Sequence, residues 1–110
     1  MRVNDLQHIE GFYLQTKYHE NTSITGIFCG DLLSLVMANI KEGNALLTVI
    51  SNYNVLAIAH LMKIPCIIFT TGVLPKPELI QKAEEEDIAI VTTNYDTATA
   101  VKRLYEKVSI

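Results

Sequence analysis

The sequence predicts an α/β fold: a small, mainly parallel sheet flanked by helices, with an antiparallel N-terminal edge strand. The main observation is a repeated pattern, in which a short apolar run is followed by Ser, Thr and Asn residues and then by a helical stretch. The apolar runs are residues 45–50, 66–69 and 88–91. Such nearly continuous apolar runs are typical of strands covered on both faces. Strands that alternate with helices join through right-handed crossovers into a parallel sheet.

The N-terminal region departs from this pattern. Apolar residues at helical spacing predict a short amphipathic helix over residues 3–10, which Gly11 ends. Residues 12–18 alternate loosely between apolar and polar and predict a strand. A polar turn separates this strand from a second one over residues 24–29, and we expect the two strands to pair.

Capping residues predict where the four helices of the alternating region begin. Asp31 is the predicted cap of the first helix, and Ser51 or Asn52 caps the second. Pro77 is a favourable first residue for the third helix, and the last helix starts near Asp96. The apolar stripes of these helices are Leu32, Leu33, Val36, Met37 and Ile40; Val55, Ile58, Ala59 and Met62; Leu79, Ile80 and Ala83; and Val101, Leu104, Tyr105 and Val108.

Length and composition restrict the function. A chain of 110 residues fits one domain, spanning 1–110, with enough length to bury a core. The net charge of −3 gives no electrostatic reason to expect nucleic acid or a membrane surface as partner. Cys29 and Cys66 lie inside apolar runs, which favours buried, reduced thiols and a cytoplasmic location.

Polar clusters follow three of the predicted strands. In a parallel sheet they share the carboxyl edge, where such folds bind ligands. Helix starts and hydroxyls attract anions, which predicts a small anionic or nucleotide-like ligand. Helix capping is the alternative explanation, because the same residue types favour any helix start. The predicted ligand-binding residues are Ser51, Asn52, Asn54, Thr70, Thr71, Gly72, Thr92, Thr93 and Asp96.

Two of these clusters, residues 50–54 and 92–96, nearly repeat each other. One interpretation places Tyr53 and Tyr95 in a single crevice, where they line it or stack on a planar ligand. The other interpretation is ordinary packing at two helix starts with the same cap chemistry.

Signatures of catalysis are missing from the sequence. It contains no phosphate-binding P-loop, no G-x-G-x-x-G and no G-x-S-x-G nucleophile elbow. His8, His19 and His60 are separated and have no acidic or Cys neighbours at ligand spacing, so neither a metal site nor a cofactor is expected. We therefore predict a protein that is not an enzyme. A small transferase or hydrolase that uses Thr or Asp groups is the least favoured alternative.

A series of short matches gives the sequence a family resemblance over residues 24–105, and the order and spacing of these matches make the resemblance specific. The matching positions are Gly30, Asp31, Leu32, Leu33, Ser34, Leu47, Thr48, Val49, Asn54, Val55, Ala57, Ala59, Cys66, Ile67, Ile68, Phe69, Pro77, Ala83, Glu85, Ile88 and residues 92–97. On these residues the chain resembles the DRTGG domain family. Of the namesake Asp-Arg-Thr-Gly-Gly run, only Thr71-Gly72 is present.

The resemblance implies a stand-alone α/β domain similar to the N-terminal domain of HPr kinase/phosphorylase, with a regulatory or ligand-sensing role. The family also occurs beside CBS modules and in phosphate acetyltransferase chains. Kinase activity is not implied, because it lies in a separate P-loop domain of HPr kinase.

Two functional hypotheses follow. The first is a non-catalytic regulatory module that binds a small anionic or nucleotide-like ligand and forms a homodimer. The second is an assembly module that docks on a larger metabolic enzyme and has no small ligand. Leu35 and Leu56 fall off the main stripes and are expected to be exposed at the dimer contact. Alternatively, residues 3–9 or 12–18 cover that surface within one chain.

Overall fold

The computed structural model describes residues 1–107, which form one five-stranded sheet covered by helices on both faces. A 3-10 helix (Val3–His8) comes first. The strands are β1 (Phe12–Leu14), β2 (Gly26–Cys29), β3 (Asn44–Thr48), β4 (Cys66–Phe69) and β5 (Ala89–Thr93). The helices are α1 (Leu33–Asn39), α2 (Tyr53–Leu61), α3 (Pro77–Glu85) and α4 (Thr97–Lys107).

The strand order is β1-β5-β4-β3-β2. Strands β2 to β5 are parallel, and β1 is antiparallel to β5 at one edge. The predicted fold class is therefore confirmed, including the antiparallel N-terminal edge strand. Strand β4 has the predicted bounds, and β3 lies inside the sheet with its last four residues buried.

The predicted pairing of the first two strands is wrong, because β1 and β2 occupy opposite edges of the sheet. Strand β1 pairs with β5, and the Gln15 N–H extends this pairing by donating to the Ile90 carbonyl at 2.8 Å. Ile24 instead donates its N–H to the Met1 carbonyl at 2.7 Å. The polar segment between the strands therefore connects the two opposite edges of the sheet and is not a hairpin turn.

The alternation of side chains along the strands divides the core into two layers. Leu46, Ile67 and Ile90 face α1, α2 and α3. Leu47 and Ile68 face the 3-10 helix and α4. Three helices thus cover one face, whereas the other is covered by the 3-10 helix and α4.

The predicted helix starts are mostly confirmed. The Asn52 side chain caps α2 by accepting from the Asn54 N–H at 2.9 Å, and Pro77 is the first residue of α3. Asp96 precedes α4 and accepts from the Thr99 N–H at 2.7 Å.

The prediction that Asp31 caps α1 is wrong. Its Oδ1 instead accepts from the Thr48 hydroxyl at 2.8 Å and from the Val49 N–H at 2.9 Å. Leu32 occupies the cap position of α1 without a side-chain hydrogen bond. Asp31 therefore ties the end of β2 to the end of β3.

Several predicted burials are also wrong. Cys66 is buried, but Cys29 is exposed because β2 is an edge strand. Leu56 is buried at 3% exposure because α2 packs on the sheet between two other helices.

Some residues of the predicted apolar stripes are also exposed to solvent and not buried. Leu32, Met37 and Tyr105 are exposed, because α1 and α4 bury narrower faces than predicted. Val108 lies outside the described residues. None of the described helices has the length and apolar character needed to cross a membrane.

Candidate functional site

The four parallel strands end at one edge of the sheet, which we call the carboxyl edge. Most of the predicted ligand-binding residues lie in the loops that follow β3, β4 and β5, whereas Thr92 and Thr93 end β5 and Asn54 lies in the first turn of α2. The polar clusters therefore share one edge of the sheet, as expected. The loops after β4 and β5 bind each other, whereas the loop after β3 lines a cavity.

The loop after β4 is bound tightly to the loop after β5. The Thr71 N–H donates to the Tyr95 carbonyl at 2.7 Å, and the Gly72 N–H donates to the Thr93 carbonyl at 3.0 Å. Thr71 and Gly72 both have left-handed backbones, with φ of 60° and 75°. Glycine adopts this conformation without strain, which explains the residue type at position 72.

The buried hydroxyls of this edge have partners within the protein. Thr70 Oγ1 is 2.7 Å from Thr97 Oγ1, and Thr48 binds Asp31. Thr92 Oγ1 accepts from the Gln15 side chain at 3.0 Å, and Thr93 Oγ1 accepts from the Tyr95 N–H at 3.2 Å. These hydroxyls connect strands, loops and helix starts to one another.

The loop after β3 forms one wall of a cavity of about 360 Å³, which we call the Lys76 cavity. The other wall is the start of α3. Lys76 is the one charged residue in its lining, and both Asn52 and Lys76 occupy helix cap positions. The lining residues are Val49, Ile50, Ser51, Asn52, Tyr53, Lys76 and Leu79.

A smaller cavity of about 240 Å³ lies beside β1 at the same edge, and Tyr95 and Thr93 are part of its lining. Tyr95 packs against Phe12 with 5.9 Å between ring centroids, and the Arg103 guanidinium lies 5.6 Å from its ring centroid. Tyr53 lines the Lys76 cavity instead, so the two tyrosines do not share a crevice. The explanation by helix-start packing therefore fits Tyr95.

The structure thus divides the predicted site. Ser51 and Asn52 line the Lys76 cavity, Thr93 lines the smaller one, and the lining of neither includes Thr70, Thr71 or Gly72. Asp96 is used as a cap, and the hydrogen bonds from Thr99 hold the pKa of its carboxyl below the usual value.

A cavity of about 630 Å³, larger than both of these, lies at the opposite, amino edge of the sheet and was not predicted from the sequence. We call it the His60 cavity. His60 Nδ1 lies 2.7 Å from Glu86 Oε2 in its wall. The left-handed residues Lys63 and Asp87, which precede β4 and β5, also line it. A charged residue followed by Ile occurs before both strands and is the sequence signal that marks this edge.

Neither edge offers an evident metal site, since no group of three or more His, Cys, Asp or Glu among residues 1–107 is arranged to hold an ion. Chemically, the Lys76 cavity presents one ammonium group, amide and hydroxyl groups and apolar walls. Such a set is suited to reversible binding.

A family model described as the DRTGG domain matches residues 6–106. The chain belongs to the DRTGG domain family. The DRTGG fold is shared with a crystal structure of the CBS and DRTGG domains of the regulatory region of Clostridium perfringens pyrophosphatase, complexed with the activator diadenosine tetraphosphate. That match has a TM-score of 0.73 and 18% identity, and it covers 93% of this chain but 45% of the other. No curated protein matches the sequence.

The predicted family and fold are confirmed by these matches. At 18% identity, the likeness to the pyrophosphatase region concerns the fold. This DRTGG domain spans less than half of the chain that it matches there.

Proposed function

We propose that this chain is a non-catalytic regulatory module that senses a small anionic or nucleotide-like ligand in the Lys76 cavity. The observation that carries the proposal is the position of Lys76, which is the single charged lining residue and lies where α3 begins. The family assignment and the regulatory region with the same fold support a regulatory role.

The electrostatics of the cavity favour an anion. The starts of α2 and α3 both border it, and a helix start carries a partial positive charge from its free N–H groups. The first turn of α2 contains no acidic residue that would oppose this charge, whereas the first turn of α3 contains Glu78, which is not part of the cavity lining. The Lys76 ammonium adds a full positive charge to the same cavity.

The walls suit the organic part of a nucleotide-like ligand. Val49 and Ile50, both partly buried, provide apolar surface, and the Tyr53 ring, 57% exposed, is available for stacking on a planar group. Clostridium perfringens pyrophosphatase is activated by a dinucleotide, which supports nucleotides as the first probes. We assign ligand binding to Ser51, Asn52 and Lys76. The hydroxyls of Thr70, Thr92 and Thr93 hold the neighbouring strands and loops together.

Isothermal titration with inorganic phosphate, AMP and diadenosine tetraphosphate tests the proposal. We expect at least one of these probes to bind at a single site. Lys76→Gln removes the ammonium while keeping a polar side chain, and should weaken binding about tenfold, as expected for a lost charged hydrogen bond.

Lys102→Gln is the matched control. Lys102 is exposed on α4, and its substitution removes the same charge from a region outside the lining of the Lys76 cavity. It should leave the affinity unchanged. Equal weakening by both variants would indicate attraction by the overall charge, and an absence of binding to all three probes would contradict the proposal.

One observation favours an assembly module as the second candidate. Leu32 and Leu35 are 62% and 56% exposed at the start of α1, and their spacing of three residues places them on the same side of the helix. Exposed apolar groups that lie together usually mark a contact surface. This surface supports a homodimer or docking on a larger metabolic enzyme.

Light scattering at micromolar concentration tests self-association. Leu35→Glu should shift a dimer to one-chain mass without unfolding it, because Leu35 is exposed. Tyr105→Glu, which introduces the same charge at an exposed position on α4, should not. A wild-type mass of one chain that stays constant on concentration would exclude the dimer. Leu56 is unsuitable for this test because it is buried.

A further inference from the structure

A short chain of hydrogen bonds runs from Asp31 to the wall of the Lys76 cavity. Asp31 Oδ1 accepts from the Val49 N–H at 2.9 Å and from the Thr48 hydroxyl at 2.8 Å. Thr48 Oγ1 in turn accepts from the Ile50 N–H at 3.2 Å. Val49 and Ile50 line the cavity, whereas Asp31 and Thr48 are outside its lining. One carboxylate and one hydroxyl thus hold the backbone of two consecutive wall residues.

Given the function proposed above, on which this inference rests, we propose that Asp31 and Thr48 are positioning residues for the ligand site in the Lys76 cavity. The loop between β3 and α2 consists of residues 49–52, and all four residues line the cavity. Asp31 and Thr48 bind its first two N–H groups, and the Asn52 cap fixes its last residue at the start of α2. The ligand contacts that this loop makes therefore depend on both anchors.

The burial of Thr48 means that it acts through the loop and not by contact with the ligand. Its side chain is fully buried, and its hydroxyl donates to Asp31 and accepts from the Ile50 N–H. Without these bonds the N–H groups of residues 49 and 50 lose their acceptors, and the loop is free to adopt other conformations. The apparent affinity then falls with the fraction of chains that keep the binding conformation.

Charge and geometry act in opposite directions at Asp31, so the two contributions can be separated. Its Oδ1 orders one wall of the cavity, which favours ligand binding. Its negative charge lies one hydrogen bond away from the lining residue Val49 and opposes an anion. Removal of the charge alone should therefore strengthen anion binding, whereas removal of the acceptor should weaken it.

Isothermal titration of Asp31→Ala and Asp31→Asn with inorganic phosphate, AMP and the dinucleotide named above separates these effects. Both variants lose the charge, but Asn keeps an oxygen that can accept both hydrogen bonds, because both go to the single atom Oδ1. We expect Asp31→Ala to weaken binding about tenfold, as for the loss of a hydrogen bond to a charged group. Asp31→Asn should bind at least as tightly as the wild type.

Thr48→Val and Thr48→Ser repeat the test without a change of charge. Valine keeps the shape of the side chain but has no hydroxyl, whereas serine keeps the hydroxyl. Thr48→Val should weaken binding about tenfold, and Thr48→Ser should restore most of the affinity. A purely structural role would lower the stability of Thr48→Val but leave the affinity of the folded chain unchanged. If Thr48→Val does not fold, the Asp31 variants decide, because Asp31 is exposed.

Failure of the positioning role and failure of the proposed function give different results. If the wild type binds none of the probes, both are overturned. If the wild type binds and Lys76→Gln weakens binding, the proposed function stands. The positioning role alone is then overturned if Asp31→Ala and Asp31→Asn change the affinity alike, or if Thr48→Val binds as tightly as the wild type.

Discussion

The two edges of the sheet differ in electrostatic character although the same two helices border both. At the carboxyl edge, the starts of α2 and α3 meet Lys76 around a cavity of about 360 Å³. At the amino edge, the ends of α2 and α3 meet four carboxylates around a cavity of about 630 Å³. In a parallel α/β fold every helix runs in the same direction, so helix starts collect at one edge and helix ends at the other. The topology therefore gives the two edges opposite electrostatic potentials.

The largest expected effect comes from removing packing beneath the carboxyl edge. Leu79 is 2% exposed in the layer under α3 and also lines the Lys76 cavity. We expect Leu79→Ala to lower the free energy of unfolding by about 2–5 kcal/mol, because it removes buried methyl groups and leaves a cavity. Urea unfolding measures this change.

Leu74→Ala is the matched control for this loss. Leu74 is 75% exposed in the loop before α3, and the same truncation there should change the free energy of unfolding by less than about 0.5 kcal/mol. An equal loss in both variants would mean that the effect comes from shortening the side chain and not from packing in the core.

The strand pattern could be predicted because near-continuous apolar runs have few alternatives in a domain of this size. Strand β4 matches its predicted bounds, and Asn52 caps α2 as expected. The partner of β1 could not be predicted in the same way. Proximity in sequence favours pairing of β1 with β2, but β1 pairs with β5 instead. The segment after Gln15 is long enough to connect the two edges of the sheet, and no sequence pattern indicates this.

A smaller loss is expected from a variant confined to the carboxyl edge. Asp31→Ala removes the acceptor for the Thr48 hydroxyl and the Val49 N–H. Thr48 is fully buried, so we expect the free energy of unfolding to fall by about 1–3 kcal/mol. Denaturant unfolding measures the change.

Asp31→Asn separates this contact from a general effect of charge. The amide keeps an oxygen that accepts from the same donors, so its loss of stability should be smaller than that of Asp31→Ala. Equal losses would mean that the negative charge, and not the acceptor geometry, joins the ends of β2 and β3.

The candidate sites were predictable only in part, for a related reason. Polar residues after strands point to the carboxyl edge, and Ser51 and Asn52 do line a cavity there. The pattern cannot distinguish residues that border solvent from residues such as Thr70, whose hydroxyl is paired with Thr97. Lys76 was missed because it lies in a loop distant in sequence from the polar cluster of its own cavity.

The smallest expected effect depends on pH and concerns His19 in the segment that connects β1 to β2. His19 Nε2 lies 2.8 Å from Asn4 Oδ1, and its Nδ1 lies 3.1 Å from Thr16 Oγ1. Because Asn4 Oδ1 can only accept, we assign the proton to Nε2, and in this neutral ring Nδ1 accepts from the Thr16 hydroxyl. Burial lowers the pKa of His19 below its ordinary value of 6.5, and the Glu84 carboxylate partly opposes this shift.

The sign of the pH effect follows from that direction. A lowered pKa in the folded state means that folding favours the neutral ring, so its contribution to stability is complete above the unfolded value of 6.5 and is lost as the pH falls below it. Urea unfolding between about pH 7.5 and about pH 5.5, above the range of ordinary carboxyls, should show this decline. His19→Gln should flatten it, whereas His8→Gln, at an exposed position of the 3-10 helix, should not. If the stability of His19→Gln still declines with falling pH, the titrating group is not His19.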